Sequence, residues 1–294
     1  MNEQPFSAPV SGGELAGAVW NAGAPGIPVL GLHGITANHR SFRGLASALE
    51  RPVLAIDQRG RGASRDLPEP YALVQLADDA AAALDAAGMG EVIVAGHSMG
   101  GFVATRLAER HPHLVRGLVL IDGGLPLRPP PEGVTVTAEE ALGPAVARLQ
   151  MTFDSREGYR EFWRQHPATG PYWSDLLEEY IDYDLQEIDG QLRPSTQPEA
   201  MATNFLELGG VNGYVDAVLG LESRGVPRTL LSAPRGLFDE VPPLYDADWL
   251  AEWAERLPGQ RVTQVPDVNH YTILIGGGID AVADAITSMA DVLS

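Results

Sequence analysis

The stretch Gly96-His97-Ser98-Met99-Gly100 decides the fold of this 294-residue chain. It stands between a continuous apolar run, Glu91 to Ala95, and a helical pattern from Gly101 to about Arg110. A serine between glycines on such a strand-to-helix turn adopts a strained backbone with its hydroxyl clear of the sheet, because larger flanking side chains would collide. The N-terminal amides of the following helix stabilise negative charge at the same point. The stretch therefore predicts a nucleophile at Ser98.

Short apolar runs of strand length recur on both sides of this turn. They are Ile27 to Leu32, Pro52 to Ile56, Gly117 to Ile121, Val226 to Ser232 and Gln260 to Val265. Helical patterns alternate with them at His39 to Glu50, Tyr71 to Ala87, Asp246 to Leu257 and Asp280 to Leu293. Because buried strands that alternate with helices form parallel sheets with right-handed crossovers, the sequence predicts an α/β fold. The segment Phe6 to Trp20, with its Ser-Gly-Gly turn, predicts a leading antiparallel hairpin.

The alternation stops after Asp122. The segment GGLPLRPPPEG, Gly123 to Gly133, contains too much proline for the interior of a helix or strand. From about Thr137 to Glu222 the apolar spacing is helical, and we find no strand run within it. The sequence thus predicts a core made of residues 1–124 and 226–294, with an all-helical insertion over residues 125–225.

The composition excludes several classes of function. All 20 basic residues are arginine, against 39 acidic ones, and the net charge is −19. Without lysine or cysteine there is no Schiff-base lysine, no Walker lysine and no thiolate nucleophile or metal ligand. The acidic balance argues against nucleic acid and anionic membranes, and no apolar stretch approaches the roughly 18 residues of a spanning helix. We expect a soluble cytoplasmic protein with a small-molecule substrate, no metal and no cofactor; the sequence carries no information on oligomeric state.

An activated serine needs a base and a set of donors for the oxyanion that develops on its substrate. His33-Gly34-Ile35 ends an early predicted strand, and loops at the carboxyl ends of neighbouring parallel strands meet at one crevice. The N–H of Ile35 is therefore predicted to pair with the N–H of Met99 as an oxyanion hole. Of the seven histidines, only His270 follows the last predicted strand, and we predict that it is the base.

The carboxylate that orients His270 is expected between the serine and the histidine in the chain. Asp239 follows the strand that ends the insertion and is the predicted acid. Glu240 lies next to it and is an alternative. Asp122, directly after the preceding strand, is another, because an acid one strand earlier can reach the same histidine.

Taken together, these features resemble the α/β-hydrolase family of esterases and lipases, over nearly the whole chain outside the insertion. The loop Asp57-Gln58-Arg59-Gly60-Arg61-Gly62-Ala63-Ser64 is also similar to the D-x-R-G-x-G-x-S of many members. The resemblance implies the α/β-hydrolase fold, a mostly parallel sheet flanked by helices, in which the insertion forms a helical cap over the crevice. Members usually carry the acid in a G-x-x-D loop directly after the strand, whereas here Gly236 occupies about that place and Asp239 lies further on.

The implied activity is hydrolysis of a carboxylic ester, thioester or lactone through a Ser-Asp-His triad and an acyl-enzyme. A carbon–carbon bond hydrolase, a perhydrolase or an acyltransferase would share this nucleophile, and a non-catalytic small-molecule receptor would share the fold. His33, Trp163 and Tyr271 are candidates for the substrate pocket, although most aromatic residues of the insertion are expected to pack. Residues 125–224 hold 17 acidic and 7 basic residues, a net charge of 7 − 17 = −10, which favours a neutral or moderately apolar substrate.

Overall fold

A computed structural model describes residues 3–130 and 144–294 of the chain. Eight strands form one sheet: β1 (Glu3–Val10), β2 (Gly13–Trp20), β3 (Val29–Leu32), β4 (Val53–Ile56), β5 (Val92–His97), β6 (Val115–Ile121), β9 (Arg228–Ser232) and β10 (Arg261–Gln264). Their order across the sheet is β1-β2-β4-β3-β5-β6-β9-β10. Strand β2 pairs antiparallel with β1 and β4, and the remaining neighbours are parallel. The predicted leading hairpin and parallel core are both confirmed.

Helices cover both faces of this sheet. They are α1 (Arg43–Ala48), α2 (Leu73–Ala86), α3 (Met99–Arg110), α9 (Ala247–Arg256), α10 (Thr272–Ile275) and α11 (Ile279–Leu293). Helices α2, α3 and α9 share one apolar cluster with the sheet, and α1, α10 and α11 share the other. Every residue of β3, β4 and β5 is buried as a result, which explains why these strands are continuous apolar runs without alternation.

The segment between β6 and β9, which we call the insertion, contains both helices and strands. Its elements are α4 (Pro144–Leu149), α5 (Arg156–Arg164), α6 (Asp175–Asp184), β7 (Leu185–Ile188), β8 (Gln191–Pro194), α7 (Pro198–Glu207) and α8 (Tyr214–Ser223). The prediction of an all-helical insertion is wrong at β7 and β8, which pair as an antiparallel hairpin. Part of the predicted helical region, residues 131–143, lies outside the described residues.

The hairpin has a sequence signal that the helical spacing concealed. Asp189 and Gly190 connect its strands with φ values of 53° and 74°. Two successive residues with positive φ form the type I′ turn that matches the twist of a two-residue hairpin, and Asp-Gly is one of its preferred sequences. The turn residues therefore indicated the strands that the apolar pattern did not.

The predicted site residues lie in loops along one edge of the sheet. Strand β3 lies between β4 and β5, so the strands that follow it in the chain are added on both of its sides. In open α/β sheets, ligands bind at the carboxyl ends of the strands near such a switch point. Loops at this edge, after β3, β5, β6, β9 and β10, carry His33, Ser98, Asp122, Asp239 and His270 respectively. Within the described ranges, none of the helices has the length and apolar character needed to cross a bilayer.

Candidate active site

Ser98 occupies the turn between β5 and α3 with φ 54° and ψ −124°. Such a backbone costs on the order of 1–3 kcal/mol for a residue other than glycine, and such strain clusters at functional sites. The turn is too tight for side chains at its glycines: a Cβ on Gly100 would lie 1.9 Å from the carbonyl oxygen of Leu32. A Cβ on Gly96 would lie 2.4 Å from the carbonyl oxygen of Gly100. The flanking glycines are therefore required by the approach of backbone to backbone.

His270 and Asp122 form a buried pair. The Nδ1 of His270 lies 2.6 Å from Oδ2 of Asp122, while the N–H of Ala233 donates to Oδ1 of Asp122 at 3.0 Å. Because Nδ1 donates to the carboxylate, Nε2 of His270 is left as the acceptor. Ser98 and His270 line the same cavity, and within the described residues no hydrogen bond joins the serine hydroxyl to the imidazole. Such contacts often tighten only when substrate binds.

The predicted pairing of His270 with Asp239 is corrected by this geometry. Asp122 comes directly after β6, which is the neighbour of β5 in the sheet, so its carboxylate reaches His270 without an intervening loop. Asp239 follows a longer loop and forms an ion pair with Arg235, Nε to Oδ1, at 2.7 Å. The alternative Glu240 accepts a hydrogen bond from the N–H of Phe238 at 2.6 Å and so stabilises its own loop.

Asp239 nevertheless contacts the residue before His270. Its Oδ1 accepts from Nδ2 of Asn269 at 2.9 Å, and its Oδ2 accepts from the hydroxyl of Tyr172, in the insertion, at 3.2 Å. Partial burial acts to raise the pKa of Asp239, but the hydrogen bonds from Asn269 and Arg235 hold it below the ordinary value. The carboxylate therefore ties the histidine loop to the insertion.

His33 orients the loop that carries Ile35. The backbone N–H of Gln58 donates to Nε2 of His33 at 3.0 Å, so Nδ1 carries the proton and donates to the carbonyl of Gly34 at 2.8 Å. That carbonyl belongs to the same planar peptide as the N–H of Ile35, and in a trans peptide the two point in opposite directions. Burial lowers the pKa of His33 to about 4, which keeps it neutral. His33 is not among the described residues that line the cavity of Ser98 and His270, so the prediction that it lines the pocket is wrong.

The cavity beside Ser98 is almost entirely apolar. The predicted residues Ile35, Met99 and Tyr271 line it together with Ser98 and His270. The insertion also contributes Tyr180, one of its aromatic residues for which packing was the preferred prediction, together with Leu127, Phe205 and Leu208, which the sequence did not indicate. None of the described lining residues is an arginine, an aspartate or a glutamate. Helical spacing could not separate the packing face of the insertion from the cavity face, because both are apolar.

Trp163, a predicted pocket residue, packs inside the insertion. Its ring lies 6.0 Å from that of Tyr271 and 6.3 Å from that of Tyr159, and the guanidinium of Arg148 lies 4.9 Å from its centroid. Arg148 is itself buried and forms an ion pair with Asp184. The tryptophan therefore supports the cavity wall through Tyr271 without lining it.

The loop after β4 joins the core to the insertion. Oδ2 of Asp57 accepts from the hydroxyl of Tyr183, in α6, at 2.6 Å, and its Oδ1 accepts from Nδ1 of His39 at 2.9 Å. Burial acts to raise the pKa of Asp57, but the charge and hydrogen bond of His39 lower it to about 2. Among residues 3–130 and 144–294, no group of three or more His, Asp or Glu side chains is arranged to hold a metal ion.

Two known proteins are similar to this chain in sequence. The chain is 30% identical over 251 residues to 2-(acetamidomethylene)succinate hydrolase of Mesorhizobium japonicum, which covers 83% of this chain and 81% of that protein. It is 35% identical over 164 residues to the lipase LipV of Mycobacterium tuberculosis, covering 54% of this chain and 56% of that protein. These relatives are named hydrolases.

Two solved structures share the fold over nearly the full chain. An E-2-(acetamidomethylene)succinate hydrolase matches with a TM-score of 0.77 at 24% identity, covering 99% of this chain and 100% of that one. A thioesterase domain from the curacin biosynthetic pathway matches with a TM-score of 0.74 at 19% identity, covering 98% and 100%. A family model described as alpha/beta hydrolase fold matches residues 27–183. With its sheet, its serine turn and these relatives, the chain belongs to the alpha/beta hydrolase fold family.

Proposed function

We propose that the protein is a serine hydrolase that cleaves esters of neutral, moderately apolar carboxylic acids through an acyl-enzyme. The observation that carries this proposal is the 2.6 Å contact between His270 and Asp122, which leaves Nε2 of His270 as a free acceptor in the cavity of Ser98. In this proposal Ser98 is the nucleophile, His270 the general base and Asp122 the orienting acid. Thioesters and lactones present the same acyl carbon and belong to the same substrate class.

Acylation follows from the groups in the cavity. The Oγ of Ser98 attacks the carbonyl carbon of the ester as its proton passes to Nε2 of His270, while Asp122 stabilises the imidazolium. The carbonyl oxygen becomes an oxyanion and accepts from the N–H groups of Ile35 and Met99. Met99 is the first residue of α3, where backbone N–H groups lack an acceptor within the helix. The intermediate collapses when the imidazolium gives its proton to the leaving alcohol.

Deacylation repeats these steps with water. His270 takes a proton from a water molecule, the resulting hydroxide attacks the acyl carbon, and the second oxyanion binds to the same N–H groups. Collapse releases the carboxylic acid as the proton returns from His270 to the oxygen of Ser98. No atom is supplied by a group other than substrate, water and these side chains.

The lining of the cavity supports the substrate class. With no cationic side chain among the described lining residues, a substrate carboxylate would be desolvated without a partner, which is costly. The charge of Arg148 is paired with Asp184, so Arg148 is not available to bind a substrate carboxylate. A neutral acyl chain instead meets Phe205, Leu208 and other apolar side chains.

A matched pair of substrates tests the proposal. We expect kcat/KM for p-nitrophenyl butyrate to exceed that for p-nitrophenyl hydrogen succinate by at least about tenfold, because the second carries a buried charge. A fluorophosphonate probe should label the wild type and leave Ser98→Ala unlabelled. Equal labelling of the two proteins, or an unlabelled wild type, would remove Ser98 as the nucleophile.

A second candidate is hydrolysis of the C–N bond of an amide that carries carboxylates. It is favoured by the 30% identity to a 2-(acetamidomethylene)succinate hydrolase across 83% of this chain. Assay of 2-(acetamidomethylene)succinate beside the two nitrophenyl esters separates the candidates. If its kcat/KM exceeds that of the butyrate ester, the neutral-ester assignment is replaced by the amide one.

A further inference from the structure

Arg61 is a buried arginine directly behind the loop of Ile35. It belongs to the loop after β4, and its side chain is fully buried. Its Nε donates to the carbonyl of Ile35 at 3.1 Å, its Nη1 donates to the carbonyl of Arg59 at 2.9 Å, and its Nη2 lies 3.8 Å from Sδ of Met99. The guanidinium thus contacts both residues whose N–H groups were assigned to the oxyanion.

The charge of Arg61 has no carboxylate partner among the described residues. Its near neighbour Arg59, buried to a similar degree, is paired with Asp79 through Nε at 2.8 Å and Nη2 at 2.9 Å. Burial of a cation without a counterion is costly, and an apolar side chain of similar volume would avoid that cost. Burial also lowers the pKa of Arg61. The positive charge of Arg61 therefore lies beside Ile35 and Met99 without an ion pair to offset it.

We propose that Arg61 is a positioning residue of the oxyanion hole, which fixes the main chain of Ile35 and the side chain of Met99 and adds a positive potential that favours the oxyanion over the neutral carbonyl. The inference rests on the proposed function, because it takes the N–H groups of Ile35 and Met99 as the donors. His33 beside the loop is neutral. The carboxylate of Asp57 opposes the potential of Arg61, but it forms its hydrogen bonds with His39, Ala63 and Tyr183 and none with Arg61.

The charge of Arg61 is expected to stabilise the transition state and to contribute little to substrate binding. A substrate ester is neutral when it enters the cavity, and its carbonyl oxygen becomes negative only as Ser98 adds to the carbon and the serine proton reaches His270. An unpaired charge in a low-dielectric surrounding interacts strongly with the second state and weakly with the first. Loss of Arg61 should therefore lower kcat and leave KM nearly unchanged.

The test compares an inhibitor that becomes an oxyanion with one that stays neutral. A trifluoromethyl ketone matched to the butyrate ester adds to Ser98 and forms an anionic hemiketal, whereas the corresponding secondary alcohol binds as a neutral molecule. We expect Arg61→Met to weaken the ketone about 10-fold to 100-fold, with a similar loss in the rate of the p-nitrophenolate burst, and to change the affinity of the alcohol by less than about twofold. Arg51→Met is the control, since Arg51 also donates to a backbone carbonyl, that of Ile27, away from the cavity.

Each outcome is decisive. Equal weakening of ketone and alcohol, or no weakening of either, would overturn the role of Arg61. If Arg61→Met does not fold, Arg61→Lys replaces it, because lysine keeps the charge but lacks the planar fork of the guanidinium. We then expect the affinity for the ketone to fall about threefold to tenfold and the affinity for the alcohol to stay unchanged. An unchanged affinity for the ketone would contradict the inference. Fluorophosphonate labelling of the wild type separates the two proposals, because an unlabelled wild type rejects the serine mechanism itself, whereas a labelled wild type with an unaffected variant rejects only Arg61.

Discussion

At the scale of single residues, the chemistry of this protein depends on which aspartate meets His270. Three strands of the sheet end in loops with an aspartate of positive φ: Asp122 at 44°, Asp239 at 64° and Asp267 at 58°. Only Asp122 contacts the imidazole, at 2.6 Å. Asp239 contacts Asn269, and so acts on the histidine loop from one residue away.

We expect Asp122→Asn to lower kcat for p-nitrophenyl butyrate by about 10³-fold to 10⁴-fold, because the amide no longer fixes the productive tautomer of His270. Asparagine tolerates the positive φ of this position, so the fold should survive. Asp239→Asn is the matched control and should lower kcat by less than about tenfold. Far-UV circular dichroism checks that both proteins are folded, and the reverse order of the two effects would restore Asp239 as the acid.

Two buried histidines make stability depend on pH. Burial lowers the pKa of His33 to about 4 and that of His97 to about 3, and the nearby His270 acts in the same direction on His97. Once unfolded, both titrate near 6.5. Between about pH 6.5 and 4 the unfolded chain therefore binds more protons than the folded one, and the free energy of unfolding should fall as pH decreases, by about 1.4 kcal/mol per pH unit for each histidine.

Urea titrations at intervals between about pH 7 and 4.5 measure this slope. The range stays above the window in which Asp57 contributes: its pKa falls from 3.8 to about 2 on folding, so its stabilisation is lost only as pH drops through those values. His97→Asn should lower the pH dependence of the free energy of unfolding by the contribution of one histidine, about 1.4 kcal/mol per pH unit. A slope that is unchanged in the variant would contradict the burial of a neutral histidine at this position.

At the scale of elements, the first turn of α3 lies against the end of β3 because a glycine faces the strand there. Gly100 in the first turn of α3 has no room for a Cβ, which would meet the carbonyl oxygen of Leu32 at 1.9 Å. Gly220 in α8 has open space: a Cβ added there would have only Nη1 of Arg224, at 3.9 Å, within contact distance. Gly100 is thus required for the packing of α3 against β3, whereas Gly220 only lowers the helix propensity of α8.

The two glycines should respond to alanine with opposite signs. Gly100→Ala should lower the free energy of unfolding by about 2–4 kcal/mol, because backbone must separate from backbone. Gly220→Ala should raise it by about 0.5–1 kcal/mol, since alanine loses less conformational entropy in a helix. Urea denaturation measures both. A stable Gly100→Ala protein would show that α3 and β3 can move apart at little cost.

At the scale of the whole molecule, the insertion and the core share their apolar clusters. Tyr214 of α8 packs in one cluster with α2 and α3, and Tyr159 of α5 packs in the other with β strands of the sheet. Hydrogen bonds also cross the boundary, as between Tyr183 and Asp57, and between Asn269 Nδ2 and the carbonyl of Ala168 at 3.0 Å. The two parts therefore stabilise one another.

We expect insertion and core to unfold in a single transition. Two of the five tryptophans, Trp163 and Trp173, lie in the insertion. In a variant with phenylalanine at both positions, tryptophan fluorescence therefore reports on the core alone. Its fluorescence midpoint in urea should coincide with the midpoint of far-UV circular dichroism, because coincident probes indicate two-state unfolding. Tyr183→Phe should lower the free energy of unfolding by about 1 kcal/mol in both signals. A separate early transition of the insertion would show that it folds as an independent unit.

Much of the fold and part of the site could be predicted because their signals are local. The glycines around Ser98, the apolar runs of the parallel strands and the position of His270 after the last strand can all be read from adjacent residues. The β7–β8 hairpin had a local signal too, in Asp189-Gly190, but the surrounding helical spacing obscured it. The lining of the cavity could not be predicted, because Tyr180 and Trp163 are both aromatic residues at helical spacing and only packing decides which faces Ser98.

The sequence by itself determined the fold class, the strained serine turn and the exclusion of lysine and thiolate chemistry, since these depend on residue type and on spacing within one element. Only the tertiary structure decided that Asp122 pairs with His270, that His33 orients the Gly34–Ile35 peptide and that Arg61 lies unpaired behind it. These contacts join residues from different strands. Distances between strand ends follow from the order and register of the sheet, which no single segment of the chain encodes.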